Sequence, residues 1–383
     1  MNFDFPSEYL DYQKKVKEFA QTQLNDDVQQ RDRDCVFAEE LWQKCADFGI
    51  QGLAAPAKYG GSFEKVDLQR AVLAMSGLGY GCLDNGLGLT LNAHMWSVMM
   101  TITEFGTEAQ KEKYLPKLSN GSWIGCHALS EEESGSDVFN MSTTAEKNGD
   151  FYILNGKKSW VTLAPNADIA VIFALTNPKI GKWGVSAFIV ESRYEGYSSS
   201  LNQEKMGMRT APFGTIIFND CKVPVENRIG KEGAGMGISN YSLEYDRCFI
   251  LASVIGTMER QIEEAVTYAK NRKQFGKPIF DFQAVSHRIA DMKLRLETAK
   301  LLLYKMAWLK DIGKSAPLES ALLKLHLSEA AVSNSMDLIR IFGAKGYVTE
   351  FGIERNLRDV VGSVILAGTS DIQKNIIAKM LSM

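Results

Sequence analysis

The stretch FQAVSHRIADMKLRLETAKLLLYKM, residues 282–306, decides the architecture. Phe282, Val285, Ile289, Met292, Leu296, Ala299, Leu303 and Met306 recur at spacings of 3, 4, 3, 4, 3, 4 and 3. That stripe belongs to a helix with one face buried against other helices, in a bundle or across a subunit interface. A second stripe, Leu251, Ile255, Met258 and Ile262, precedes it, and Gly313 and Pro317 punctuate the gap to a further helix. Residues 233–383 are therefore expected to form a C-terminal helical bundle.

Working towards the N-terminus, the pattern changes. ADIAVIFAL (167–175), GVSAFIV (184–190) and FGTIIFNDCKV (213–223) are rich in β-branched and aromatic residues, which favour strands. FYIL, NG and KKSWVT, residues 151–162, read as strand, turn and strand, because Asn-Gly is the strongest short hairpin signal. Residues 121–232 are expected to form a compact, mostly antiparallel β domain. Residues 1–120 read as helical: Ser7–Leu24 holds no Gly or Pro, and Leu41–Phe48 is ended by Gly49. PAKYGG (56–61) then makes a loop, and apolar helical patterns return at Leu68–Met75 and Gln110–Leu118. The fold class is α+β: an N-terminal helical domain (1–120), a central β domain (121–232) and a C-terminal bundle (233–383).

Composition removes several function classes. The 383 residues are 45 % hydrophobic and 23 % charged, as in an ordinary globular protein. A net charge of −3 argues against nucleic acid as partner, and no apolar run is long enough to span a membrane. The start, MNFDFPSEYLDYQKK, lacks a basic segment followed by an apolar one, so a cytoplasmic location is expected. The 6 cysteines form no CxxC pair, and the 4 histidines, His94, His127, His287 and His326, lie far apart, so no metal site is expected. The glycines of GKEGAGMG (230–237) do not fit GxGxxG and are not framed by a βαβ unit. No P-loop, HExxH or GxSxG occurs.

Six strings remain: SEEESGSD (130–137), NGKKSWVT (155–162), NRKQFGKPIFDFQ (271–283), FGAKGY (342–347), Arg358–Asp359 and AGTSDIQKNIIA (367–378). In this order and at these separations the chain resembles, over nearly its whole length, the acyl-CoA dehydrogenase family of flavoproteins. The resemblance implies a homotetramer with one FAD per subunit. It places Ser130 at a hydroxyl beside flavin N5, with His127 and Leu129 along the ring, Trp160 and Thr162 flanking it, and Ser136 near the FAD phosphates or the thioester arm. It places Arg272 on the FAD pyrophosphate of a neighbouring subunit, a task suited to a guanidinium fork. Phe275 and Gln283 then match adenine- and ribitol-side contacts, Arg340 and Gly343 the loop over the other end of FAD, and Thr369 and Asp371 the turn near the phosphates. Gln is usual at the position of Arg340 and Gly at that of Ala344, and the usual Thr-Glu-Pro opening is absent from SEEESGSD.

Oxidising a thioester next to its carbonyl needs a base for the α proton and an acceptor for a hydride. A carboxylate in an apolar pocket suits the first task, since desolvation raises its pKa. Many members carry a Glu just before the Gly-Thr-Ser turn; here that residue is Ala367. The isovaleryl-type branch takes its base from an upstream helix matching YSLEYDRCFILAS (241–253), where Glu244 and Asp246 compete. Alignment on Arg247 favours Asp246. The apolar stripe favours Glu244, because Cys248, Leu251 and Ile255 continue its face and Asp246 lies about 200° away around a helix. Glu244 is the expected base.

The length, the missing late Glu and the LEYDR segment resemble the branch that oxidises prolyl thioesters on phosphopantetheine-bearing carrier proteins in secondary-metabolite pathways. A carrier protein is the expected partner, with an electron-transferring flavoprotein or oxygen reoxidising the flavin. Oxidation of a short- or branched-chain CoA ester is the alternative, and a catalytically inactive scaffold that keeps the fold is another.

Overall fold

The computed structural model describes residues 4–382. The first helical layer comprises α1 (Ser7–Gln23), α2 (Val28–Asp34), α3 (Glu39–Phe48), α4 (Leu68–Gly81), α5 (Asn85–Asn92), α6 (Met100–Phe105) and α7 (Glu108–Ser119). Between α5 and α6 the chain winds as a π-helical turn, Ala93–Met99. Such turns are rare and gather at functional sites.

The sheet comprises β1 (Gly125–Ala128), β2 (Thr144–Asn148), β3 (Phe151–Thr162), β4 (Ile169–Leu175), β5 (Val185–Glu191), β6 (Tyr197–Ser199), β7 (Phe213–Pro224) and β8 (Arg228–Ile229). Its strand order is β6-β7-β3-β2-β4-β5-β8, with β1 also paired to β4. Pairing is mostly antiparallel, but β1 runs parallel to β4, as does the short β2–β4 contact. One expectation is corrected here. Asn155–Gly156 is no hairpin turn, because residues 151–162 form one continuous strand. The register against β7 slips between Leu154 and Gly156, and Gly156 adopts φ +141. A Cβ there would lie 2.6 Å from Thr143 Oγ1, so the glycine permits a bulge in the β3–β7 ladder, close against Thr143, rather than a reversal. The long β2–β3 and β3–β7 ladders outweigh the local turn preference.

The last layer holds α8 (Gly235–Phe249), α9 (Ala252–Asn271), the hairpin β9 (Lys273–Gln274) and β10 (Lys277–Pro278), α10 (Gln283–Asp311), α11 (Pro317–Phe342), α12 (Ala344–Tyr347), α13 (Ile353–Val361) and α14 (Ser370–Leu381). The stripe read from the sequence is the buried face of α10: Ile289, Met292, Leu296, Ala299, Leu303 and Met306 are all in the core. One apolar core runs through all three layers. Among the described residues no helix is long and apolar enough to cross a membrane.

Helices α4 and α9 cross at backbone contact through two glycines. A Cβ on Gly79 would lie 1.8 Å from the Ser253 carbonyl oxygen, and one on Gly256 1.9 Å from that of Ser76. Gly256→Ala must therefore push the helices apart. The expected cost is about 1–3 kcal/mol, seen as a lower Tm; an unchanged Tm would show that the crossing is not tight.

Candidate active site

β1 and β3 end side by side, and the chain leaving β1 carries Leu129 and Ser130. The Ser159 amide donates to the Ser130 carbonyl at 3.0 Å. This bond sets Ser130 beside Ser159 and Trp160, with Thr162 two residues further along β3 and His127 and Leu129 just before Ser130 at the end of β1. Trp160 sits at φ +63 and is 54 % exposed, its indole stacked on Phe213 at 6.4 Å. A bulky residue in the left-handed region is an outlier that points to a site.

Below this rim lies a charge pair that the sequence reading did not single out, although both residues fall inside the quoted strings. Lys158 is 0 % exposed; its Nζ donates to Glu131 Oε1 at 2.9 Å and to the Leu129 carbonyl at 3.0 Å. Glu131 also accepts from the amides and hydroxyls of Ser142 and Thr143, at 2.6–3.0 Å. Burial pulls the Lys158 ammonium below the usual lysine range, and Glu131 opposes that pull. The pair fixes the loop that starts at Ser130, because every lone pair of the carboxylate has a donor.

His127 faces α8: its Nε2 lies 3.1 Å from Ser242 Oγ, and its ring tilts against Phe173. Burial, aided by the Lys158 charge, lowers its pKa to about 4, so the imidazole is neutral at physiological pH. Asp246 lies one turn beyond Ser242, and residues four apart share a helix face. Ser97, on the π-helical turn, donates its hydroxyl to Asp246 Oδ1 at 2.6 Å. Asp246 lies deep in the protein yet keeps part of its surface accessible. Burial raises its pKa from 3.8 to about 6, against the opposing effects of the Ser97 hydrogen bond, Arg247 and Lys324. No feature of the sequence singles out Ser97 or Ser242.

Glu244 points elsewhere. Lys310 Nζ, in α10, donates to its Oε1 at 2.5 Å, and the Ala316 amide donates to the same oxygen at 2.8 Å. Lys310 lies in the last turn of α10 and Ala316 just before α11, so Glu244 ties α8 to the bundle. The extrapolated stripe fails for a geometric reason: α8 ends at Phe249 and α9 begins at Ala252, with Leu251 at φ −105 and ψ 13 between them. The helical phase of Leu251, Ile255 and Met258 does not carry back across that break.

The remaining candidates fall in two other places. Arg272, Phe275 and Gln283 are exposed at the α9–α10 connection, Phe275 by 93 % and at φ +50. Arg340 and Gly343 are exposed at the end of α11. These two groups meet where Tyr268 stacks on Phe342 with ring centroids 4.1 Å apart. Thr369 caps α14 through the Ile372 amide, and Asp371 is exposed with Lys374 as partner. The turn before them, Ala367–Gly368, adjoins α8, since a Cβ on Gly368 would lie 3.9 Å from Arg247 Nε. Ser136 is exposed on the loop leading to β2. A separate cleft of about 290 Å³ is lined by Arg33, Arg209, Arg355 and Arg358. Its ion pairs are internal, Arg358 with Asp32 and Glu354, and Arg209 with Glu204. Among the described residues no cluster of His, Cys, Asp and Glu could hold a metal ion.

Known proteins share this arrangement. Residues 6–122 match the acyl-CoA dehydrogenase N-terminal domain, 126–221 its middle domain and 233–382 its C-terminal domain. An L-prolyl-[peptidyl-carrier protein] dehydrogenase of Pseudomonas fluorescens is 44 % identical over 348 residues, 91 % of each chain. The structure of the prolyl acyl carrier protein oxidase AnaB superposes with a TM-score of 0.97 at 46 % identity, covering 99 % of this chain and 100 % of the other. That of PigA with FAD and proline gives 0.96 at 38 % identity, covering 100 % and 99 %. The chain belongs to the acyl-CoA dehydrogenase family.

Proposed function

We propose that the protein is an FAD-dependent dehydrogenase or oxidase of a prolyl thioester carried on a phosphopantetheine-bearing carrier protein, with Asp246 as the base. The single observation that carries the base assignment is the shared face of Ser242 and Asp246, which sets the carboxylate on the side of α8 that meets His127. Glu244, the residue favoured by burial and reach, has its carboxylate engaged by Lys310 and the Ala316 amide. It is read as a positioning residue for α8.

The rim fits a flavin. Trp160 offers an exposed aromatic face in a strained backbone, next to the Ser130 hydroxyl and a neutral His127. Buried Arg247 Nε, beside the Ala367–Gly368 turn, lacks a hydrogen-bond partner. FAD bound there supplies the two-electron acceptor for the hydride. Asp246 takes the α proton: a carboxylate with a pKa near 6 is ionised at neutral pH and more basic than an ordinary one. Ser97 orients it by a single hydrogen bond, which leaves its other oxygen for the substrate. The buried aromatic and apolar residues behind His127, Phe173 among them, keep the surroundings of the site apolar and the carboxylate basic. Arg272, Phe275, Gln283, Arg340 and Gly343 lie exposed on one subunit, in keeping with a homotetramer in which they complete a neighbour's FAD site. A flavoprotein or oxygen then takes up the electrons.

The relatives' substrates support the prolyl reading over a CoA ester. The test is the mass of prolyl-loaded carrier protein after aerobic incubation. Loss of two hydrogens, or four for two rounds, is expected. Unchanged prolyl carrier together with oxidised butyryl- or isovaleryl-CoA would reverse the assignment.

A further inference from the structure

The segment Pro178–Gly184, between β4 and β5, projects two apolar side chains into solvent: Ile180 is 52 % and Trp183 58 % exposed. Lys179 and Lys182 are exposed beside them, and Lys231 is exposed in the glycine-rich run before α8. None of these three lysines has an ion-pair partner among the described residues. The nearest acid in sequence, Glu232, is occupied by Arg228 and the Tyr152 hydroxyl. Lys182 instead lies 5.6 Å from the centre of the Trp183 ring.

This segment sits over the start of α8. The Gly233 amide donates to Ser186 Oγ at 2.9 Å, and a Cβ on Gly233 would lie 3.0 Å from the Trp183 carbonyl oxygen. From Gly235 the helix runs inward, with Gly235, Ile238, Ser239 and Ser242 buried on the face that ends at Asp246. At 1.5 Å per residue, Gly235 and Asp246 are about 16 Å apart along the axis. An extended phosphopantetheine arm is of that length.

We propose that Ile180, Trp183, Lys179, Lys182 and Lys231 form the docking surface for an acidic carrier protein, which sends its arm inward along α8. The inference rests on the carrier-protein reading above and names where that partner binds. Charge complementarity selects this occupant. An uncompensated cationic ring around two apolar side chains matches an acidic helix with an apolar stripe, and the phosphate at the root of the arm adds negative charge. The glycine-rich run that fits no dinucleotide loop has a use here, since its small residues let the segment close on the start of α8.

The test uses the flavin-loaded enzyme and a triple variant, Lys179→Glu, Lys182→Glu and Lys231→Glu, with a Trp183→Ala variant beside it. Two substrates are compared: prolyl carrier protein, and prolyl pantetheine thioester without protein. The KM for prolyl carrier should rise about tenfold or more in the triple variant, with weaker salt dependence and unchanged kcat. Turnover of the pantetheine thioester should not change in either variant. Unchanged KM and unchanged binding of the carrier would overturn the docking surface and leave the substrate reading intact. Equal losses with both substrates would also overturn it, by showing damage to the cleft. A parent enzyme that oxidises neither prolyl substrate would remove the substrate reading and the docking surface with it.

Discussion

Asp246→Asn is expected to lower turnover by about 10²–10⁴-fold, the usual contribution of a positioned general base, while flavin binding persists. Asn keeps the volume and can still accept the Ser97 hydrogen bond, so the loss reports proton transfer rather than collapse of the cleft. Two further readouts follow from the raised pKa. Activity of the parent should fall as pH drops through about 6, because the proton that then occupies the carboxylate blocks it as a base. Stability should move the other way. The folded chain holds the Asp246 proton more tightly than the unfolded chain, whose carboxyl titrates near 3.8. Folding is therefore penalised as pH rises between these values, and the penalty is complete above the higher one. Asp246→Asn should raise Tm above pH 6, and the gain should vanish below pH 3.8. Such a site exchanges stability for activity. Undiminished turnover in Asp246→Asn would exclude Asp246 as the base.

The second large effect concerns the pair beneath the rim. Lys158→Met removes the ammonium paired with a buried carboxylate that has four other hydrogen bonds. Breaking one side of a buried pair costs about 3–5 kcal/mol, because the remaining charge is left without compensation. The Leu129 carbonyl also loses its donor, so the segment Leu129–Ser130 should loosen and FAD should dissociate more readily. Denaturant titration and flavin release both measure this. Adding Glu131→Gln should restore part of the stability, since the double variant no longer buries a lone charge. A single variant as stable as the parent would show that Lys158 is not needed to hold Glu131.

Where a periodicity had length and a single owner, the sequence was readable. The stripe from Ile289 to Met306 predicts a helix face that is buried residue for residue, because burial of a long helix face is a sum over many positions. Local signals that competed with tertiary pairing misled. Asn155–Gly156 carries a hairpin preference, but pairing with β2 and β7 carries the strand through it with a bulge instead of a reversal. Glu244 and Cys248 share a face of α8, but the stripe continues to Leu251 and Ile255 only if one helix runs through residues 244–262, and it breaks at Ile250–Leu251. Burial was read correctly there, since Lys310 and Glu244 are both nearly enclosed. What a sequence does not contain is which neighbour fills the enclosure. Ser97 was unreadable for the same reason: 149 positions separate it from Asp246, and only the π-helical turn aims its hydroxyl at the carboxylate.

Rapid anaerobic mixing with prolyl-loaded carrier protein tests the site most directly, with flavin absorbance followed in the parent, Asp246→Asn and Glu244→Gln. The parent should bleach. Glu244→Gln should bleach within about tenfold of the parent rate, with a lower Tm from the uncompensated Lys310 charge. Asp246→Asn should stay yellow on that timescale. A parent that keeps its oxidised spectrum with the prolyl carrier, or an Asp246→Asn variant that bleaches as fast as the parent while Glu244→Gln does not, would contradict the site described here.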